Sequence, residues 1–339
     1  MIWRVNMKSA YEVECRAKEG KHINTIKEDL EALVDKRLHW TLLTLPILGI
    51  VIFTILPLVF MICMAFTSYS KVGDHLTIFH WVGLKNFSTV LGMGNSIGKT
   101  FWSVLGWTLI WAVLATFLNY ILGMILAIVI NRKTTRIKGF WRFCFMLSAA
   151  IPQFVSLLLM RTMLKDNGLI NNLLVQAGLI SSPLPFLTNA TWARATVVII
   201  NLWVGIPFTI MQVTGILQNI PGELYEAARV DGAGPVTIFF KITLPYMLFV
   251  TTPYLITTFT GNINNFNVIY LLTAGAPVPV GATAGKTDLL VTWLYKLTVD
   301  LQYFNVGAVV GILTFVILAV VSLITYRNTG SYKNEEGFQ

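Results

Sequence analysis

Residues 221–245 read Pro221-Gly-Glu-Leu-Tyr-Glu-Ala-Ala-Arg-Val-Asp-Gly-Ala-Gly-Pro-Val-Thr-Ile-Phe-Phe-Lys-Ile-Thr-Leu-Pro245. Pro221 suits the first turn of a helix, where its missing N–H is no loss. Glu223 and Glu226 sit early, where the helix dipole favours negative charge. Leu224, Ala227 and Ala228 fall on one face at i, i+3 and i+4, and the two alanines leave that face flat for another surface to approach. Gly232 or Gly234 is expected to end the helix. Pro235 can start a second one, and Pro245 is expected to interrupt it. The pattern is a short surface helix, a turn, and a second helix leading away.

The flanks say where that elbow lies. Ala195 to Gly222 is 28 residues without a charge, and Ile242 to Gly285 is 44. Further out are Trp40–Ser70 (31), Phe101–Ile130 (30), Phe143–Met160 (18) and Leu301–Tyr326 (26). A helix needs about 20 apolar residues to cross the hydrocarbon layer. The 339-residue chain is 55% hydrophobic and only 12% charged, with a mean hydropathy of +0.68, where a soluble domain carries about 25% charge. These figures exclude an ordinary soluble globule, and the apolar content excludes a disordered chain. They predict an all-α polytopic membrane protein with about six spans, near 40–68, 103–130, 143–164, 195–217, 247–272 and 306–326.

The net charge of +9 would hint at nucleic acid in a soluble protein. In a membrane protein it fits basic loops facing an anionic cytoplasmic leaflet, and no nucleic-acid partner is expected. With both termini inside, the inner segments hold 17 Lys/Arg and the outer loops 8. The 131–142 loop weighs most, with Arg132, Lys133, Arg136, Lys138 and Arg142 and no acid. The prediction is N-in, C-in. Residues 1–39 read as a cytoplasmic segment without a cleavable signal, 40–327 as the membrane domain with the elbow at about 218–246, and 328–339 as a cytoplasmic tail. Asn24 to Trp40 patterns as an amphipathic helix, with Ile26, Leu30, Leu33, Val34 and Leu38 on one face. It would lie on the inner membrane surface or pack on the protein's own loops.

Gly92-Met-Gly-Asn-Ser-Ile-Gly98-Lys99-Thr100 imitates a phosphate loop. The pattern requires a glycine where Met93 stands, and no buried strand precedes it. It reads as an outer loop, and this chain is not expected to bind ATP. Nor is it expected to be an enzyme. His-Glu-x-x-His and Gly-x-Ser-x-Gly are both missing, and His22, His39, His75 and His80 lie outside the spans. Cys15, Cys63 and Cys144 have neither metal nor disulfide spacing, so no metal site is predicted. No Asp or Glu falls inside a predicted span, which counts against a proton-relay carrier. Sodium coupling through neutral oxygens stays open.

Polar residues and prolines gather in three spans: Pro152 and Gln153 in the third, Asn201, Gly205 and Pro207 in the fourth, and Pro253, Thr258, Gly261, Asn262, Asn264, Asn265 and Asn267 in the fifth. Asn262 and Asn265 share a helix face, as do Asn201 and Gly205. Neutral amides beside Phe154, Trp203, Phe208 and Phe266 suit an uncharged, polyhydroxylated solute. The same amides also suit hydrogen bonding between membrane helices. The residues by themselves leave both readings open.

Two sets of residues carry a resemblance. Glu226-Ala-Ala-Arg-Val-Asp-Gly232-Ala233 followed by Ile242-Thr-Leu-Pro245 resembles the EAA loop of permease subunits in binding-protein-dependent ABC importers: Glu-Ala-Ala, a glycine four residues after the second alanine, then Ile-x-Leu-Pro. The alternative is a plain surface helix joining two spans. Leu147-Ser-Ala-Ala-Ile-Pro-Gln-Phe-Val-Ser156, Asn201-Leu-Trp-Val-Gly-Ile-Pro-Phe208, Gly261-Asn-Ile-Asn-Asn-Phe-Asn-Val-Ile-Tyr-Leu-Leu-Thr-Ala-Gly-Ala-Pro277 and Thr287-Asp-Leu-Leu-Val291 are similar to the larger, first permease subunit of maltose/maltodextrin importers.

The resemblance implies a type I ABC importer permease fold in a bacterial plasma membrane. It implies a coupling helix in which Glu226, Ala227, Ala228, Asp231 and Gly232 engage an ATP-binding subunit. It also implies a sugar pathway through Gln153, Asn201, Gly205, Phe208, Thr258, Asn262 and Asn265. Departures are visible: Thr258 and Gln153 stand where the family has serines, and Phe208 and Ala149 where it has tyrosines. The implied partners are a second permease chain, two ATP-binding subunits holding ATP and magnesium, and an outer solute-binding protein. The implied cargo is an oligosaccharide, of maltodextrin type or another sugar or polyol-linked solute. A self-sufficient secondary carrier is the rival.

Overall fold

The computed structural model describes residues 38–327 except 73, 74, 77, 78 and 133, with isolated positions nearer the N-terminus (11, 14, 15, 17–20, 28 and 35). The amphipathic helix expected over Asn24–Trp40 lies almost wholly outside the described residues, as does the 328–339 tail. The chain divides into two compact units, Met1–Cys63 and Met64–Gln339.

Helix α1, Leu42–Ala65, makes up most of the described part of the first unit and ends two residues past its boundary at Cys63. Leu42, Leu43, Leu45, Ile47 and Leu48 are all exposed. At 3.6 residues per turn they cover the whole circumference. A helix apolar on every side needs lipid as its solvent.

The second unit is built from α2 (Ser96–Asn131), α3 (Lys138–Ala150), α4 (Gln153–Met163), α5 (Ala190–Asn219), α6 (Gly222–Val230), α7 (Pro235–Leu272) and α8 (Phe304–Arg327). Helices α1, α2, α5, α7 and α8 are each long and apolar enough to cross a membrane. The third span, expected near 143–164, is a bent pair: α3 and α4 meet at 85°. Pro152 explains the break. It has no N–H to continue α3, and it pushes Ile151 into extended backbone at φ −77°, ψ 128°. Among the described residues, the helices long and apolar enough to cross number five, or six if the bent pair counts as one.

The expected interruption at Pro245 is also corrected, because α7 runs straight past it. A wide π turn over Phe239–Thr243 precedes the proline, with the Leu244 N–H reaching back to Phe239 O. The five-residue step absorbs the missing donor without breaking the helix.

Two buried clusters hold the unit together. Trp107, Trp111, Leu157, Val197, Val268, Leu272 and Leu289 form one. Tyr120, Met124, Ile210, Val213 and Met247 form the other. Helices α2 and α5 touch in both, and small residues allow it. A Cβ on Gly123 would stand 2.5 Å from Thr209 Cγ2 of α5, so the two backbones approach as glycine-mediated membrane helices do.

Two sets of polar contacts mark the ends of the unit. At one, Asn131 Nδ2 donates to Thr214 Oγ1 at 3.0 Å, Lys138 Nζ donates to Asn131 O at 3.0 Å, and the Arg142 guanidinium donates to Asn131 Oδ1. At the other, Trp107 Nε1 donates to Thr287 O at 3.2 Å and Arg194 Nε to Lys286 O at 2.8 Å. The first end carries the basic 131–142 loop and is cytoplasmic by the charge rule. The second is the outer end.

Candidate functional site: a central cavity and an inner elbow

A cavity of about 360 Å³ lies between α2, the α3–α4 break, α5 and α7. That is within the range of about 300–1,000 Å³ typical of small-molecule sites. Six of the seven residues expected along a sugar pathway line it: Gln153, Asn201, Gly205, Phe208, Thr258 and Asn262. The seventh, Asn265, does not. Its Oδ1 accepts the Val268 N–H at 3.2 Å and caps the segment Phe266–Leu272, and its Nδ2 donates to Asn262 Oδ1 at 3.4 Å. Of the four aromatics expected nearby, Trp203 and Phe208 line the cavity. Phe266 instead stacks on Tyr270 at 4.7 Å, and Phe154 is exposed elsewhere.

The lining amides divide by their partners. Asn262 is committed within the protein: its Nδ2 donates to Thr116 Oγ1 at 3.0 Å, its Oδ1 accepts from Asn265 Nδ2, and its backbone carbonyl takes the Trp111 Nε1–H at 3.0 Å. It ties α7 to α2 while bordering the cavity. Asn201 is only 6% exposed, yet its amide has no hydrogen-bond partner among the described residues, and neither does that of Gln153. Asn201 is buried and Gln153 exposed, and the unpaired donors and acceptors of both are left for something that enters. No cavity-lining residue carries a formal charge at neutral pH.

A third such amide was not anticipated from the sequence. Asn119 of α2 lines the cavity, and its Oδ1 is buried without a partner. It is packed against Gly205, where an added Cβ would collide with the amide nitrogen. The bare Gly205 Cα is thus what leaves room for Asn119. Its signal in the sequence was that Asn119 is the only Asn or Gln in the run Phe101–Ile130.

The elbow lies at the end that carries the basic 131–142 loop. Helix α6 opens with Glu223 in its first turn and closes with Arg229 in its last, matching the dipole at both ends. Gly232 ends it at φ +77°. The Gly232 N–H donates to Arg229 O at 3.0 Å and the Ala233 N–H to Ala228 O at 2.9 Å, the paired bonds of a Schellman cap. Tyr225 and Thr243 share a hydroxyl hydrogen bond at 3.2 Å, tying α6 to the start of α7. Glu226, Ala227 and Asp231 are exposed and Ala228 half-buried. Neither the Glu226 nor the Asp231 carboxylate has a partner among the described residues. With Leu224, Val230 and Val236 also exposed, the elbow offers acids and apolar groups to a surface outside this chain.

A family described as "Binding-protein-dependent transport system inner membrane component" matches residues 119–329. The galactooligosaccharides transport system permease protein GanP of Bacillus subtilis (strain 168) is 35% identical over 98% of this chain and 80% of its own length. The maltodextrin transport system permease protein MdxF of the same organism is 34% identical, over 99% and 79%. The maltose/maltodextrin transport system permease protein MalF of Escherichia coli (strain K12) is 35% identical over 73% of this chain but 49% of its own. Among solved structures, a bacterial alginate ABC transporter in complex with an alginate pentasaccharide-bound periplasmic protein gives a TM-score of 0.70 at 23% identity, covering 87% of this chain and 94% of that one.

Proposed function

Because the chain belongs to the family of binding-protein-dependent transport system inner membrane components and is a permease subunit of a sugar ABC importer rather than an enzyme, we propose that its cargo is an uncharged oligosaccharide of maltodextrin or galacto-oligosaccharide type. One observation carries the choice: the central cavity is bordered by free amides, hydroxyls and the rings of Trp203 and Phe208, with no charged group. Such a lining offers donors and acceptors to sugar hydroxyls and apolar faces to the rings. The resemblance around Asn201, Asn262 and Asn265 favours maltodextrin, and the similarity to a galactooligosaccharide permease favours the second sugar class.

In this reading Asn201, Gln153 and Asn119 take sugar hydroxyls, Thr258 adds one more, and Asn262 and Asn265 hold the frame. A second, similar permease chain completes the pathway. Two ATP-binding subunits, which hold the ATP and magnesium, seat the α6 elbow in the cytoplasm of a bacterium. Closure of those subunits moves α6, and the Tyr225–Thr243 link passes the motion into α7, one wall of the cavity. The helices then open the cavity to one side of the membrane at a time.

The test is uptake by the purified complex in proteoliposomes with the solute-binding protein supplied on the outer side and ATP on the cytoplasmic side, with labelled maltodextrins and galacto-oligosaccharides competing. Saturable ATP-dependent uptake of one of these sugars is expected. Uptake by the lone chain without nucleotide would overturn the importer mechanism, and transport restricted to charged solutes would overturn the cargo.

A further inference from the structure

The phosphate-loop imitation at Gly92–Thr100 forms the head of α2. Asn95 caps it: its Oδ1 accepts the Gly98 N–H at 2.7 Å, and its Nδ2 donates to Thr89 O and Gly92 O at 2.8 and 3.2 Å. This fixes the first turns of α2 so that Lys99, Ser103 and Trp107, spaced by four, face one way. They line a second cavity, of about 460 Å³, closed opposite by Arg194 of α5 and the loop 279–288.

The charge in this cavity is one-sided. The Arg194 guanidinium stacks over Trp107, 4.5 Å from the ring centroid, and its Nε is spent on Lys286 O. Its two terminal nitrogens have no partner among the described residues. Lys99 and Lys286 are exposed and likewise without an acid. The single acid in the lining, Asp288, is already committed: it accepts from Lys296 Nζ at 2.6 Å, Gly285 N at 2.6 Å and Thr292 Oγ1 at 2.9 Å. Three cations and the positive end of a helix therefore converge with no counter-charge. A braced guanidinium fork, two mobile ammonium groups and neighbouring hydroxyls are what recognises a carboxylate.

Location narrows the source. Helix α2 has 36 residues, about 54 Å at 1.5 Å each, against a hydrocarbon layer of about 30 Å. Its inner end meets the basic loop at Asn131, so its first turns stand clear of the bilayer on the outer side. We propose that this cavity is the socket for an acidic side chain of the solute-binding protein, whose carboxylate sits between Arg194, Lys99 and Lys286 when that protein docks. The proposal rests on the importer reading above. Such a contact speeds encounter and sets the register of docking.

The complex is reconstituted in phosphatidylcholine vesicles, and ATPase activity is followed against solute-binding protein concentration. Lys99→Glu/Lys286→Glu is expected to raise the half-saturating concentration about tenfold or more, with a weaker salt dependence and an unchanged plateau. Arg194 is kept because it also braces the outer loop. A zero-length carbodiimide is expected to join Lys99 or Lys286 to an Asp or Glu of the docked protein, and Lys99→Gln/Lys286→Gln to abolish the product. An unmoved half-saturating concentration together with no such cross-link would overturn the socket. So would a charge effect appearing only in vesicles containing phosphatidylglycerol, which would make it a lipid-headgroup site. If wild-type activity responds to the binding protein but neither variant alters it, the socket alone fails. If the wild type does not respond at all, the importer reading fails with it.

Discussion

At Gly205 the presence of one hydrogen instead of a methyl group decides whether Asn119 fits. Gly205→Ala is expected to cost about 1–3 kcal/mol of packing, read as a lower thermal midpoint of the complex and reduced uptake. Asn119→Ala in the same chain should recover most of the midpoint, and an unchanged midpoint in Gly205→Ala alone would refute the contact. The two kinds of amide part company in the same way. Asn201→Ala removes a side chain with no partner in the protein and should shift the sugar-competition profile with little loss of stability. Asn262→Ala strands the Thr116 hydroxyl and should destabilise by about 1–3 kcal/mol, measurable in the same melt. The sequence showed which residue types were present but not which amides were already spoken for. Asn262 and Asn265 look alike on a helix face, and only the chain turn at Asn264–Asn265 makes one of them a cap. Asn119 went unread because nothing in a single-span pattern says which face meets the α3–α4 break.

At the scale of elements, the α6 elbow depends on a left-handed residue at Gly232. A side chain there meets no neighbour within 4 Å, so the penalty is conformational. Gly232→Ala should cost about 1–2 kcal/mol, and Gly232→Asn less, because asparagine tolerates that region. Uptake falling in that order, with sugar binding by the outer protein unaltered, is the expected result. Equal uptake in both variants would count against the cap. On the opposite end, the fully buried Asp288 holds the outer loop through Lys296, Gly285 and Thr292. Asp288→Ala leaves a half-buried ammonium unpaired and should destabilise by about 3–5 kcal/mol, seen as early unfolding and faster proteolysis of the 275–288 loop. The elbow was legible because its signals are local: proline, early acids, a terminal glycine. The fates of Pro152 and Pro245 were not. Both remove a donor, and only the π turn before Pro245, a product of how α7 packs, lets the helix continue there while Pro152 makes an 85° corner.

For the molecule as a whole, uncharged stretches alone gave five crossings and their approximate ends, because hydrocarbon thickness is a length rule that needs no tertiary information. The broken third crossing escaped that rule, since composition records apolarity but not direction. Glu226→Ala, at the exposed tip of the elbow, should lower ATP-driven uptake severalfold while the assembled complex and its outer docking remain intact, measured by co-purification and binding-protein titration. Uptake at the wild-type rate would detach the elbow from the energy source.

The uncharged lining of the central cavity has one more physical result. Moving an elementary charge through the membrane field involves about 2.3 kcal/mol for every 100 mV. The central cavity of this permease has no such charge to displace, and neither has the uncharged cargo proposed above. Its turnover should therefore be indifferent to voltage, so a cell whose potential has collapsed would still feed through it for as long as nucleotide lasts.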